Sequence, residues 1–282
     1  MTSPTSASRQ VALVISDVDG TLLDDKKQLS TDAPPAVQRL YQRGVRFSIA
    51  SARPPRMVRD LIRRLDVREP YACFNGALVL ATDESILRKY PMAPADAQKV
   101  AEWITAHGFD LWVWTDNDWF ASKPTGPHLE HHEQEMGRKA TLLTTKDITQ
   151  FTVLKLVGVS DDHPALADAE KEFLAMGMPG VSATRSSAYY LDVTAAEANK
   201  GAVVTSLSEL LHIPAEQIAT IGDMSTDVLM FRKSGTSIAM GNALDDVKAS
   251  ATFVTKTNDE NGFAYAMDTF IRASQLQTAD QA

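Results

Sequence analysis

The sequence has a single cysteine, fewer basic than acidic residues, and no long apolar run. Because Cys73 cannot form an intramolecular disulfide or a multi-cysteine zinc site alone, we expect a protein of a reducing, cytoplasmic compartment. The 28 basic and 36 acidic residues give a net charge of −8, which disfavours non-specific binding to nucleic acid or anionic membranes. No stretch approaches the ~20 apolar residues of a membrane span. We therefore expect neither nucleic acid nor a membrane as a partner.

The 282 residues are enough for one large or two modest domains. Short β-rich runs at 11–15, 45–50 and 71–74 are separated by helical patterns, which predicts a βαβαβ unit with parallel strands. The same alternation returns near the other end of the chain. We therefore predict an α/β fold in which both ends form one Rossmann-like parallel sheet.

The residues between these two ends show a different order of helix and strand patterns. A helical pattern followed by two strand patterns occurs there twice, which predicts an inserted α+β domain. Residues 1–10 are polar and lack the apolar core of a signal peptide, so we interpret them as a disordered tail. The predicted boundaries are tails at 1–10 and 276–282, a core domain at 11–82 and 194–275, and an inserted domain at 83–193.

Acidic and hydroxyl side chains follow three of the predicted core strands. Asp17 and Asp19 follow the first strand, Ser51 follows the second, and Asp223 and Asp227 follow the strand at 218–221. Each aspartate alone has an ordinary interpretation as a turn or helix-capping residue. In open α/β sheets, however, the carboxyl ends of the strands form the ligand crevice. We therefore expect these distant residues to converge.

Four carboxylates in one crevice cannot all stay ionised without compensation. A hard divalent cation with oxygen ligands provides it, and Mg²⁺ prefers carboxylates, water and a substrate phosphate. Lys200 begins a predicted helix and is by default a surface lysine, but in the crevice it would help such a cation to attract phosphate. The pattern thus favours a Mg²⁺-dependent phosphate site.

On these residues the chain resembles the haloacid dehalogenase superfamily of phosphatases, and it is most similar to the Cof-type branch with a type IIB cap. The resemblance rests on Asp17-Val-Asp-Gly-Thr-Leu22, Ser51-Ala-Arg53, Lys200 and Gly222-Asp-Met-Ser-Thr-Asp227. It covers nearly the whole chain after the tail, and it implies that the inserted domain is a cap over the crevice.

The resemblance also implies a role for each matching residue. Asp17 would be the nucleophile that forms an aspartyl-phosphate, and Asp19 would be the general acid and base, with a pKa raised by neighbouring carboxylates. The implied Mg²⁺ ligands are the Asp17 side chain, the Asp19 carbonyl and Asp223, with Asp227 nearby. The implied phosphate-binding groups are the N–H groups of Val18 and Ala52 and the side chains of Ser51, Lys200 and Thr226.

Two positions depart from the family pattern. The second motif, more often Thr-Gly-Arg in this branch, is Ser51-Ala-Arg53 here, and the hydroxyl group is kept. The family commonly has Asn where this chain has Thr226, and the shorter threonine side chain weakens the case for a phosphate contact there.

The inserted domain has its own candidates for substrate recognition. Trp112 and Trp114 share one strand face, with Trp119 across the predicted hairpin; we expect core packing, with stacking on a sugar or ring as the alternative. His128, His131 and His132 indicate a solvated or crevice-facing polar helix rather than a zinc site.

Three features of the core have ordinary interpretations. The stripe of Arg56, Arg59 and Arg63 is typical of an exposed helix face. We expect Arg53 to be structural or at the rim of the crevice, and Cys73 to be buried and inert.

We therefore expect a Mg²⁺-dependent hydrolase. The family resemblance implies a small phosphorylated metabolite as its substrate, with a sugar phosphate ahead of a nucleotide, flavin or pyridoxal phosphate. The alternatives are a sugar phosphomutase, in which a second hydroxyl takes the phosphoryl group, and a non-catalytic protein that binds phosphorylated metabolites. The chain is expected to be a monomer or homodimer.

Overall fold

The computed structural model describes residues 10–271. The predicted tails at 1–10 and 276–282 lie outside these residues, apart from Gln10. The strands in the described range are β1 (Leu13–Ser16), β2 (Arg46–Ile49), β3 (Tyr71–Cys73), β4 (Leu78–Leu80), β5 (Ile86–Lys89), β6 (Asp110–Trp114), β7 (Trp119–Ala121), β8 (Thr141–Leu142), β9 (Lys155–Val159), β10 (Val181–Ser187), β11 (Tyr190–Ala195), β12 (Ile218–Gly222), β13 (Thr236–Ala239) and β14 (Phe253–Val254). The α-helices are α1 (Ala33–Gln42), α2 (Pro55–Arg64), α3 (Pro94–Ala106), α4 (Leu129–Met136), α5 (His163–Ala175), α6 (Lys200–Leu211), α7 (Val228–Phe231), α8 (Asp245–Ala249) and α9 (Gly262–Thr269).

A parallel sheet joins the two ends of the described chain. Its order is β14-β13-β12-β1-β2, so β1 lies between a strand close in sequence and a strand from the far end. Since every pair is parallel, the carboxyl ends of β1, β2 and β12 lie along the same edge. The predicted α/β class and Rossmann-like core are confirmed.

Alternation along β1 explains why this sheet is buried on both faces. Leu13 and Ile15 pack in one apolar cluster with α6, whereas Val14 belongs to another with α1 and α9. Successive side chains of a strand point to opposite faces, so a strand covered on both sides must be apolar at every position. The continuous run Leu-Val-Ile meets that requirement.

The third predicted strand is placed differently from the βαβαβ prediction. Tyr71–Cys73 makes an isolated parallel bridge between Ala72 and Ala50, the residue after β2, and pairs antiparallel with β4. It therefore belongs to a separate sheet of order β3-β4-β5. The chain turns back within three residues after β3, because Phe74, Asn75 and Gly76 all have positive φ angles. Propensity and periodicity do not predict this reversal.

A second large sheet, here called the cap sheet, has the order β10-β11-β9-β6-β7-β8. One of its faces is apolar and packs against α3 and α5; Gly158, for example, lies against Ile104 and Phe109. The other face, here called the crevice face, includes Trp112, Trp114, Lys155, Val157, Tyr190 and Asp192. The helices described between residues 10 and 271 include none with the length and apolar character needed to cross a bilayer.

The core of the parallel sheet should be sensitive to cavities. Phe47 in β2 is fully buried and meets Phe263 of α9 edge to face, with ring centroids 5.7 Å apart. Phe47→Ala should lower the free energy of unfolding by about 3–5 kcal/mol, measured by urea denaturation. Leu244→Ala, at a side chain that is 72% exposed, is the control and should change it by less than about 0.5 kcal/mol. Equal losses would contradict this packing.

Candidate active site

The end of β1 places Asp17 at the centre of the sheet edge. Its N–H donates to the carbonyl of Ile221 (2.9 Å), which continues the pairing of β1 with β12 by one residue. The Asp17 side chain is buried. A carboxylate is therefore fixed between the two loops that carry the remaining acidic residues.

Lys200 joins Asp17 to Asp227 by an ion pair on each side. The lysine is the first residue of α6, and its Nζ donates to Asp17 Oδ1 (2.6 Å) and to Asp227 Oδ1 (2.7 Å). All three side chains are buried. Burial alone would lower the pKa of Lys200, but the charges of Asp17 and Asp227 outweigh it and raise the pKa. The ammonium therefore stays charged inside the protein.

The loop after β12 is held in place by Asp227. Its Oδ2 accepts hydrogen bonds from the N–H groups of Asp223 (3.0 Å) and Met224 (2.9 Å). Asp223 Oδ1 accepts from Thr21 Oγ1 (3.1 Å), which ties this loop to the loop after β1. Gly20 has a φ of +73°, and a Cβ atom there would overlap the Asp223 carboxylate. Only glycine permits this close approach.

Three carboxylates in this crevice form an oxygen-only donor set. Single oxygens of Asp17, Asp223 and Asp227 lie within 4.8 Å of one another, and Lys200 is the ammonium between them. Burial, together with the charge of Asp227, raises the pKa of Asp223 to about 6. Burial also raises the pKa of Asp17 well above its usual value, against the opposing charge of Lys200. This excess of carboxylate groups over ammonium groups fits a hard divalent cation such as Mg²⁺.

The surroundings of Asp19 differ from the prediction. We expected neighbouring carboxylates to raise its pKa, but Arg53 binds it with two hydrogen bonds (Nε to Oδ2, 2.8 Å; Nη2 to Oδ1, 2.7 Å). Lys27 Nζ donates to the same carboxylate (3.0 Å). Burial alone would raise the pKa of Asp19, but these two cations outweigh it and lower the pKa to about 2. The expected raised pKa is therefore wrong for this arrangement.

Some of the expected phosphate-binding residues border the cavity, and the others are buried in the loops next to it. Ala52 and Thr226 border the cavity together with Lys200. Ser51 is buried, and its Oγ accepts from the N–H of Arg53 (3.1 Å). Val18 is buried within the turn after β1, where its carbonyl accepts the N–H groups of the following residues.

The left-handed turn after β3 is attached to the loop after β2. The N–H of Phe74 donates to the Arg53 carbonyl (3.1 Å), and the N–H of Asn75 donates to the Ser51 carbonyl (2.8 Å). Asn75 borders the cavity, and its buried Oδ1 accepts no hydrogen bond within the described residues. Positive φ angles outside glycine cost energy and often cluster at functional sites.

A cavity of about 270 Å³ lies between this crevice and the crevice face of the cap sheet. Trp112 and Trp114 border this cavity. Both also pack against Trp119 and His132, and the rings of Trp114 and Trp119 are stacked with their centroids 4.9 Å apart. Both interpretations of these tryptophans, core packing and contact with a ligand, therefore remain compatible with their positions.

The three candidate histidines have different surroundings. His132 is buried among the tryptophans, and burial together with nearby cations lowers its pKa to about 3. His128 contacts Asp161, whereas the exposed His131 lies near Glu135.

The arginine stripe of α2 has partners. Arg56 Nε donates to the carbonyl of Met136 (2.5 Å), Arg59 pairs with Glu84, and Arg63 pairs with Asp60. Cys73 is fully buried, and burial raises the pKa of its thiol.

Sequence reasoning missed several polar residues of the crevice and did not foresee the contact between Arg53 and Asp19. Arg53 holds Asp19 directly, and Lys27 and Thr21 add contacts to the expected acids. The sequence around Lys27 gives no signal for this role. Lys155 and Asp192 did leave a signal, because each is a charged residue with apolar neighbours on both sides in a predicted strand.

Comparison with protein families matches residues 14–267 to the haloacid dehalogenase-like hydrolases. The chain therefore belongs to this family, and it is a phosphatase of the Cof type, as the motifs predicted.

Individual proteins agree with this assignment. A 5-amino-6-(5-phospho-D-ribitylamino)uracil phosphatase of Bacillus subtilis is 28% identical over 277 residues, which cover 89% of this chain and 95% of that protein. An HMP-PP phosphatase of Cronobacter sakazakii is 27% identical over 233 residues, which cover 83% and 85%. The solved structure of a sugar phosphatase of HAD subclass IIB is 22% identical, covers 92% of this chain and 99% of that chain, and has a TM-score of 0.82. At that identity the likeness shows the fold alone.

The raised pKa of Asp223 predicts a pH dependence of stability in the metal-free protein. Because the folded state binds this proton more tightly than the unfolded state, the contribution of Asp223 to stability is greatest below pH 4 and is lost as pH rises through about 6. Asp223→Asn should therefore gain stability relative to wild type between pH 4 and pH 7, by roughly 1–3 kcal/mol. Urea denaturation in EDTA measures the difference; a difference constant with pH would contradict the raised pKa.

Proposed function

We propose that this phosphatase is a Mg²⁺-dependent phosphomonoester hydrolase that acts through an aspartyl-phosphate on Asp17, with a small sugar phosphate as substrate. The observation that carries the proposal is the buried Lys200, which pairs with Asp17 and Asp227 beside the carboxylate of Asp223. The crevice thus holds one ammonium group and three carboxylates, and it is large enough for a phosphate ester.

The proposed chemistry divides hydrolysis into two displacements at phosphorus. An oxygen of Asp17 attacks phosphorus and the bond to the leaving alkoxide breaks; water then attacks the aspartyl-phosphate and releases inorganic phosphate. Lys200, already 2.6 Å from Asp17, would bind a phosphate oxygen and offset the charge of the transition state. The hydroxyl group of Ser51 and the N–H groups of Val18 and Ala52 would complete the phosphate site, with Thr226 at its edge.

Asp19 would donate a proton to the leaving alkoxide and then accept one from the attacking water. In the structure its oxygens are bound by Arg53 and Lys27. The proposed role therefore requires that the arriving substrate draw Arg53 away from Asp19, since a carboxylate with a pKa of about 2 is a poor acid at neutral pH.

The proposed Mg²⁺ ligands are the side chains of Asp17 and Asp223 and the carbonyl of Asp19, with Asp227 orienting the loop beneath them. Both Asp227 oxygens already have partners, which supports a positioning role. When bound, Mg²⁺ supplies positive charge that offsets the phosphate oxygens and the carboxylates.

The size and lining of the cavity support a small, partly polar substrate. About 270 Å³ between the crevice and the cap sheet suits a single phosphorylated metabolite. The Bacillus subtilis relative acts, by its name, on a phosphate carried by a ribityl chain.

The first test is substitution of the proposed nucleophile. Asp17→Asn should lower turnover of a responsive phosphate ester by at least about 1,000-fold, because the amide cannot form the acyl-phosphate. Phosphate release over a panel of sugar phosphates, nucleotides and cofactor phosphates measures it. The exposed Asp32→Asn is the control and should retain wild-type turnover. Activity that survives in Asp17→Asn would refute the nucleophile, and an isomeric phosphate ester in place of free phosphate would identify a mutase.

The second test is removal of the metal. EDTA should abolish phosphate release and excess Mg²⁺ should restore it, because the crevice holds more carboxylates than cations. The control adds EDTA already saturated with Mg²⁺ and should have no effect. Turnover that is indifferent to free EDTA would count against the metal site.

A further inference from the structure

A buried ion pair on the crevice face of the cap sheet has no role in the chemistry described so far. Lys155 of β9 and Asp192 of β11 pair through Nζ and Oδ2, and their side chains are 9% and 1% exposed. Both border the cavity. Burial of two charges is expensive, and apolar side chains of similar volume often stabilise a protein equally well or better. Stability alone is therefore a weak reason for this pair.

Strand register directs both charges toward the cavity. Lys155 is opposite Thr194 of β11 and Trp114 of β6, whereas Asp192 is opposite Val157. Opposed residues of antiparallel strands project on the same face. The alternate residues, such as Leu156 and Val193, belong to the buried apolar cluster on the other side. The charged pair and the tryptophans thus share one surface.

This pair also lies next to the proposed phosphate site. Lys155 Nζ donates to the carbonyl of Ala52 (3.4 Å), the residue after Ser51. A substrate whose phosphate occupies the crevice would therefore bring the first atoms of its leaving group to Lys155. The leaving-group atoms nearest phosphorus would therefore lie beside the charged Lys155. The adjoining cavity wall is aromatic and includes Trp112 and Tyr190.

The unused hydrogen-bonding capacity of Asp192 indicates which groups fit there. Neither of its carboxylate oxygens accepts a hydrogen bond within residues 10–271, apart from the ion pair with Lys155. A hydroxyl group can donate to a carboxylate and accept from an ammonium at the same time. A carbon chain that carries hydroxyl groups would satisfy both partners and lay its C–H groups against the aromatic rings.

We propose that Lys155 and Asp192 form a subsite for hydroxyl groups of the leaving group, so that the substrate carries hydroxyls on the carbons next to the phosphorylated carbon, as in a sugar or polyol phosphate. This inference rests on the proposed function, because it places the phosphate at Asp17 and Lys200. It goes beyond that function by naming the residues that select the leaving group and the chemical feature they select.

The experiment compares two five-carbon phosphate esters that differ only in hydroxyl groups, ribitol 5-phosphate and pentyl phosphate. The variant is the double substitution Lys155→Met with Asp192→Leu, which replaces the ion pair by apolar side chains of similar size. The readout is the ratio of kcat/KM for the two esters. A loss of folded enzyme lowers both values by the same factor and leaves the ratio unchanged.

We expect wild type to prefer ribitol 5-phosphate and the double variant to lose roughly 10- to 100-fold of that preference, the effect of losing one or two charge-assisted hydrogen bonds. The double variant Lys89→Met with Asp116→Leu removes a less buried Lys–Asp ion pair (2.8 Å) away from the cavity and should keep the wild-type ratio. If the cap double variant does not fold, Asp192→Asn and Lys155→Gln are measured in its place, with the same expectation for the ratio.

Two results would overturn the subsite: a wild-type enzyme with no preference for the hydroxylated ester, or a variant that folds, turns over both esters and keeps the preference. Either result leaves the proposed hydrolysis through an aspartyl-phosphate on Asp17 intact. Failure of wild type to release phosphate from any ester in the presence of Mg²⁺ would instead refute the proposed function.

Discussion

The bridge that Lys200 makes between Asp17 and Asp227 is the interaction on which the site depends. One ammonium in a buried crevice holds the loop after β1 to the loop after β12, and α6 supplies it from its first residue. Removing one partner of such a group leaves an uncompensated buried charge, at a cost of about 3–5 kcal/mol. The same bridge keeps positive charge where a phosphate would sit, so the integrity of the fold and the attraction of an anion have a common origin.

The features that follow from local chemistry were predictable from the sequence. Continuous apolar runs indicated a sheet buried on both faces, and the parallel order then required Asp17 and Asp223 to approach each other at one edge. Arg53 and Lys27 could not be placed in this way, because the positions of long side chains depend on packing between loops. The third strand also escaped prediction, since three consecutive left-handed residues reverse the chain after Cys73.

Two isolated charges in apolar surroundings lie closer to the cavity chemistry than the more conspicuous histidine cluster suggests. His132 is buried and neutral among tryptophans, whereas Lys155 and Asp192 each interrupt an apolar run and meet across the cap sheet. A buried charge needs a partner or a ligand, and in this sheet each of the two charges has the other as its partner.

The pairing of β1 with β12 also bears on how the chain is made. The two strands are separated by roughly 200 residues of sequence, which a ribosome synthesises in about 10–40 s. During that interval the inner edge of β1 has no strand beside it, and an uncovered edge invites pairing with other chains. The residues of the cap sheet emerge before β12, and all six of its strands lie between β1 and β12 in the sequence. In a nascent chain of this topology, chaperone binding or rapid folding of the insertion would protect the exposed edge of β1 from pairing with other chains.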